Sequence, residues 1–229
     1  MAPWSNDLGT SIGIVMTLGA SAEGDAVDFL GSAEPHGARL GRPAATSQAE
    51  LSHIAFELFI ERGFDDVTID DIASAAGIGR RTFFRYFPSK NDLPWGEFGE
   101  LLTRMRRHLE SIDTDVPLID ALTAAVIEFN RVPEAEVPYH RRRMELLLNV
   151  PTLVAHSALK YQAWREVVAD YVAMRLGRPA DALEPRAIAH SLLAACLTAY
   201  EAWLADEDAE LSELLERAVG ALQRFFSPG

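Results

Sequence analysis

The chain has one cysteine, Cys196. A lone thiol excludes an internal disulfide framework and any zinc site built from several cysteines, and it fits a reducing compartment, so the expected location is the cytoplasm. No run of 18 or more apolar residues occurs, which removes the usual mark of a membrane-spanning helix. Six scattered histidines form no metal-spaced cluster, and neither a nucleophile elbow nor a phosphate-binding glycine loop is present. An enzyme, a metal site and a cofactor therefore have no support in the sequence. Lysine and arginine are absent before Arg39. The stretch Ile12 to Ala22, which ends in the cleavage-like Ala20-Ser21-Ala22, thus lacks the basic leader a signal peptide needs. The most informative absence is local: from Ile72 to Asn91 there is no acid, while Arg80, Arg81, Arg85 and Lys90 all fall there, in a chain of formal net charge −13. A window cleared of acids on an acidic protein points to a polyanion as partner.

Of the 229 residues, 48% are hydrophobic and the mean hydropathy is +0.01, sufficient for a small domain plus a larger one. The charge divides as −5 over residues 1–38, zero over 39–90 and −8 over 91–229. Residues 1–45 are rich in Gly, Ala and Ser without a sustained period, so they read as a disordered N-terminal extension. Met16 is an alternative start, and Arg39 and Arg42 are either linker charges or an arm able to reach a minor groove.

The middle piece reads as three short helices. Ser47 with Glu50 can cap the first, to Arg62, whose buried face is Ile54, Ala55, Leu58 and Phe59. Thr68 can cap the second, with Asp71 as an acidic partner three residues on, and Gly77 suits the left-handed residue just past its end. Gly79 can cap the third, in which Phe83 and Phe87 form the buried stripe and Arg80, Arg81, Phe84, Arg85 and Tyr86 face outward. Two arginines in a first turn oppose the helix dipole at a cost of some tenths of a kcal/mol each, unless an anion binds there.

The run Thr68-x-Asp-Asp-Ile72-Ala73-x-x-Ala76-Gly77-Ile78, followed by Thr82-Phe83-Phe84-Arg85-Tyr86-Phe87-Pro88-Ser89-Lys90, resembles the TetR family of bacterial transcriptional regulators. The resemblance spans about Thr46 to Leu93. It implies an all-α protein: a helix-turn-helix DNA-binding domain over 46–93 and a helical ligand-binding and dimerisation domain over 94–229. It further implies that Arg80, Arg81 and Thr82 meet base edges of double-stranded DNA, with Phe84, Tyr86, Thr68 and Lys90 along the phosphates. Arginine suits the first role because its fork can bridge O6 and N7 of guanine. Gly79, Arg81 and Phe84 depart from the Ser, Gly and Tyr common at these places, so the cap weakens, a long donor is added and a phenolic hydroxyl is lost. Arg85 can serve equally as a phosphate contact or a surface ion-pair partner, and Phe84 and Tyr86 also suit a core. A dimeric sensor without specific DNA binding is the alternative.

Beyond Lys90 the pattern stays helical: a connecting helix capped by Ser89, disturbed by Pro94 and ending near Ser111, then segments at 117–131, 138–150, 152–176, 187–205 and 209–226. The segment 187–205 has two apolar faces, Ile188, Leu192, Ala195 and Ala199 on one and Leu193, Leu197, Tyr200 and Leu204 on the other. A homodimer through 187–226 would give the second face a partner. The basic knot His140-Arg141-Arg142-Arg143 can anchor an anionic head group or balance the acids around it, and Tyr161 and Trp164, one turn apart, can line a cavity or belong to the core.

More narrowly, the run 79–96 together with Tyr139-His140-Arg141-Arg142-Arg143-Met144-Glu145 and Ala202-Trp203-Leu204-Ala205-Asp206-Glu207-Asp208 is similar to the regulators that accompany mycofactocin biosynthesis clusters in actinobacteria. That resemblance implies repression of genes for a peptide-derived redox cofactor, with long-chain acyl-coenzyme A as releasing effector. Such a ligand would lie with its head near Arg141 to Arg143, entering past Trp164.

Overall fold

A computed structural model describes residues 47–226 as an all-helical chain. The extension read over 1–45, with its Arg39 and Arg42, lies outside the described residues. The described ones belong to one compact unit.

Helices α1 (Gln48–Arg62), α2 (Ile69–Ala75) and α3 (Arg80–Tyr86) form the first layer. The Glu50 amide donates to the Ser47 hydroxyl at the start of α1. At α2 the capping box is complete: Asp71 N–H donates to Thr68 Oγ1 while the Thr68 amide donates to the Asp71 carboxylate at 2.8 Å. An aspartate is therefore long enough to close the box here. Gly77 ends α2 with φ +67°, and the Ile78 amide reaches back to the Ala73 carbonyl, so the chain reverses before α3. Leu51, Phe56, Phe59, Ile72, Phe83 and Phe87 interlock beneath the three helices and are essentially inaccessible to solvent.

The connecting segment differs from the single disturbed helix expected. It is a 3-10 turn over Lys90–Trp95, then Gly96 at φ +50°, then α4 (Phe98–Ser111). Pro94 cannot donate the backbone bond an α-helix would need there, and Gly96 supplies the left-handed step that redirects the chain. This turn spans the expected boundary at 93/94.

The remainder comprises α5 (Leu118–Phe129), α6 (Val137–Asn149), α7 (Pro151–Leu176), α8 (Leu183–Ala205) and α9 (Leu211–Phe226). Here α8 starts before Pro185, which sits in the first turn where no donor is needed. A short 3-10 turn at Glu134–Glu136 leads into α6. Helix α8 packs between α7 and α9. It is long and apolar enough to cross a membrane, with mean hydropathy 1.3, but Leu192, Cys196, Ala199 and Trp203 are buried in the protein core.

Both apolar faces expected on α8 are taken up inside the chain: Leu192 and Ala199 are buried, and so are Leu193 and Tyr200, with Leu197 and Leu204 partly so. The outward strip runs through Ser191, Ala194, Thr198 and Ala202. The face of α8 free to meet a partner is therefore this small-residue strip, not the second leucine-rich face.

Candidate nucleic-acid interface and effector cavity

On α3 the buried Phe83 fixes the helix against α1 and α2, and the opposite side carries Arg80, Arg81, Phe84 and Arg85, all exposed. Thr82 and Tyr86 are half-buried at its flanks. Gly79 makes no side-chain cap. Arg80 is held by Asp70 of α2, its Nη1 lying 2.9 and 3.0 Å from the two carboxylate oxygens, and its guanidinium lies over the Phe84 ring. That exposed ion pair is worth about 0–1 kcal/mol, so a stronger anion can take its place. Arg85 lies over the Tyr86 ring at 5.2 Å, in the last turn of α3, where a cation is favoured.

Two residues read as phosphate contacts have other engagements. The Thr68 hydroxyl closes the α2 capping box, 2.5 Å from Asp71, and hydrogen bonding from Thr68 holds the Asp71 carboxyl below its usual range. The Lys90 ammonium points into the domain, donating to the carbonyls of Phe64 (2.7 Å) and Val67 (2.8 Å) above the Phe64 ring. Burial pulls its pKa down, opposed by Asp65 and Asp66. Lys90 is thus a strut between the α1–α2 loop and the turn after α3.

The basic knot does not form one patch. Arg141 stacks on Trp203 at 4.1 Å and donates to the carbonyls of Trp203, Asp206 and Glu207, so it closes the C-terminus of α8. Arg142 is exposed. Arg143 turns inward, toward a cavity of about 140 Å³ lined by Trp95, Phe98, Phe129, His140, Met144 and Tyr200. A head group spread over all three arginines does not fit this arrangement. Trp164 is buried in the core, its ring 6.4 Å from Phe129, and Tyr161 meets Trp95 edge-on at 5.7 Å. Neither lines the cavity, which instead shares Leu101, Phe129, Arg131 and Val132 with a groove of about 600 Å³ between α4 and α5. The cavity and that groove therefore meet at Leu101, Phe129, Arg131 and Val132.

A directed hydrogen-bond chain borders the cavity. Arg143 donates to His140 Nδ1 at 2.8 Å, so the proton of the neutral imidazole sits on Nε2, which lies 2.9 Å from the Tyr200 hydroxyl. Tyr200 donates to Asn130 Oδ1, and Asn130 to the Val126 carbonyl. Burial, then the charge of Arg143, pushes the His140 pKa down to about 3. Burial likewise raises Tyr200 and pushes the Cys196 thiol up to about 12.

Two contacts join the cavity to the first layer. Tyr139, beside His140 on α6, packs on Phe56 of α1 at 4.4 Å and stacks on His53. Asp92, in the same turn as Trp95, receives Lys160 (2.8 Å) and His156 (3.1 Å) of α7 and the Ser89 hydroxyl. Burial pushes the Asp92 carboxyl up, but these bonds outweigh it and hold it below its usual range. Sequence reading passed over Asp92, His156, Lys160, Asn130 and Tyr200 as site residues, because the contacts that join them to one another or to His140 span sixty or more positions. Among the described residues no group of three His, Cys, Asp or Glu could hold a metal ion.

The family described as "Bacterial regulatory proteins, tetR family" matches residues 53–93, and "MftR C-terminal domain" matches 116–227. A protein of Mycobacterium tuberculosis named as a putative mycofactocin biosynthesis transcriptional regulator is 46% identical over 184 residues, covering 80% of this chain and 93% of its own. The regulator TcmR of Streptomyces glaucescens is 27% identical over 80% of this chain and 85% of its own. Among solved structures, the Thermus thermophilus repressor FadR in complex with lauroyl-CoA shares the fold, with TM-score 0.53 and 20% identity over 80% of this chain and all of that one.

Proposed function

The chain belongs to the TetR family of bacterial transcriptional regulators, and on that premise we propose that it is a repressor that binds a palindromic operator as a homodimer and leaves it when an amphipathic ligand enters the helical domain. The observation that carries this reading is the outer face of α3: Arg80, Arg81, Thr82, Phe84 and Arg85 without an acid of its own, seated on a rigid aromatic core in a chain of net charge −13. Arg80 and Arg81 lie in the first turn, the part of a recognition helix that meets base edges. Two copies related by a two-fold axis would present their α3 helices to half-sites about 34–36 Å apart.

The similarity to the mycofactocin regulator supports its target being the operator of such a biosynthetic cluster. For the ligand, long-chain acyl-coenzyme A is the first class to test, being amphipathic and anionic and the kind of molecule bound in the lauroyl-CoA complex named above. The inner cavity is well below the roughly 300–1,000 Å³ of ordinary ligand pockets, so an acyl chain would also occupy the adjoining groove of about 600 Å³. The test is a fluorescence-anisotropy titration of DNA from upstream of the gene, against scrambled DNA, with acyl-coenzyme A of increasing chain length. Specific binding released with a chain-length dependence supports the reading. Binding equal on scrambled DNA leaves a helical sensor without operator specificity, and chain-length-independent release indicates anionic competition at the DNA face.

A further inference from the structure

The Arg143 guanidinium is a half-buried cation that makes no ion pair among the described residues. Its described hydrogen-bond partner is His140 Nδ1, a neutral nitrogen by the direction of the chain leading to Asn130, and its Nε is buried with no partner. Glu136, on the neighbouring turn, is exposed, and its charge favours the Arg143 cation without a described ion pair between them. Trp95 lines the same cavity, and its indole N–H is also buried without an acceptor. Both orphaned groups are donors on residues that line one cavity, whose other walls are apolar at Phe98, Phe129, Met144 and Leu147 and polar at Asn130, Arg131, His140 and Tyr200. A buried donor left unsatisfied costs more than one left in water, and a buried charge more still. A water could serve one donor, but neither a water nor a hydrocarbon tail supplies the missing negative charge.

We infer that this cavity is a site for a small carboxylate, which enters with its charged end innermost on Arg143 and its apolar, ring-sized body against Trp95, Phe98 and Phe129. An apolar cavity close to this volume holds benzene, which sets the size of the body. A planar guanidinium takes a carboxylate through paired N–H donors, a geometry an amide or alcohol cannot match in charge. This orientation is opposite to that of an acyl-coenzyme A, whose uncharged methyl end would lead. The inference rests on the reading of the protein as a ligand-released regulator, and it narrows the ligand of that same domain.

The test is calorimetric titration of the full chain with phenylacetate, benzoate and hexanoate, each against its amide, alongside operator binding on the same preparation. The expected result is that at least one acid binds about tenfold or more tightly than its amide, and that Arg143→Met abolishes the preference while retaining the helical spectrum. The acid-to-amide comparison on the parent needs no variant, so it decides the matter even if Arg143→Met fails to fold. Equal affinity for acid and amide, or no binding of any of the three acids, overturns the inference. If operator DNA is released by acyl-coenzyme A while none of the acids binds, the inference fails and the proposed function stands. If the acids bind but no specific DNA does, the proposed function fails and the carboxylate site stands.

Discussion

At the scale of single residues, the arginines of α3 and Lys90 separate two jobs that their clustering in sequence makes look like one. Arg81 has no acid of its own helix to hold it, and Arg80 is held by the exposed Asp70 alone. Arg81→Ala is therefore expected to weaken discrimination between operator and scrambled DNA by about 1–3 kcal/mol, with the melting temperature unchanged. Competition anisotropy reads the first and calorimetry the second. Lys90→Ala, by contrast, leaves the carbonyls of Phe64 and Val67 without their donor, and is expected to destabilise the fold by about 1–3 kcal/mol. Chemical denaturation checks it, and unchanged stability would return Lys90 to the phosphate backbone. The aromatic and arginine pattern made the outward face of α3 legible from spacing. The inward turn of Lys90 was not legible, since its two acceptors lie 23 and 26 positions earlier. His140 adds a pH effect whose sign is fixed. An unfolded histidine takes up its proton below about pH 6.5, whereas the folded one resists until about pH 3. Between those values the unfolded state binds more protons, so stability falls as pH falls, with a slope of up to about 1.4 kcal/mol per unit. His140→Gln should flatten that slope in denaturation curves recorded from pH 7 to pH 4.

At the scale of elements, the turn Lys90–Trp95 and helix α6 are the parts that touch both ends of the molecule. The turn carries Lys90 toward the α1–α2 loop, Asp92 toward α7 and Trp95 into the cavity wall. Helix α6 places His140, Arg143 and Met144 at the cavity and Tyr139 on α1. A ligand that moves either element moves the base of the recognition unit with it. Asp92→Asn removes the charge that Lys160 and His156 converge on, and is expected to leave operator affinity and ligand affinity each within about threefold while reducing the coupling between them, ordinarily about 1–3 kcal/mol. Titrating ligand in the presence and absence of operator measures that coupling directly. Most helix ends could be read in the sequence, because caps such as Thr68 and breakers such as Gly77 act locally. The replacement of one helix by a turn at Pro94 and Gly96 is also local, yet the packing of Trp95 into the cavity is set by α6 and α7 and has no sequence signature of its own.

At the scale of the whole molecule, a palindromic operator requires two copies, and the face left on α8 for the second is the strip Ser191, Ala194, Thr198 and Ala202. Small side chains let helices approach closely, so one long charged substituent should be enough to part them. Ala194→Arg is expected to shift the protein from dimer to monomer in sedimentation velocity at micromolar concentration and to lower operator affinity without altering the helical spectrum. A monomeric parent would contradict the two-fold arrangement outright. The measurement that bears most directly on the account as a whole is anisotropy of labelled upstream DNA titrated with parent and Arg81→Ala protein. The account predicts tight, sequence-selective binding by the parent and loss of selectivity in the variant. Indistinguishable binding of operator and scrambled DNA by the parent would contradict it.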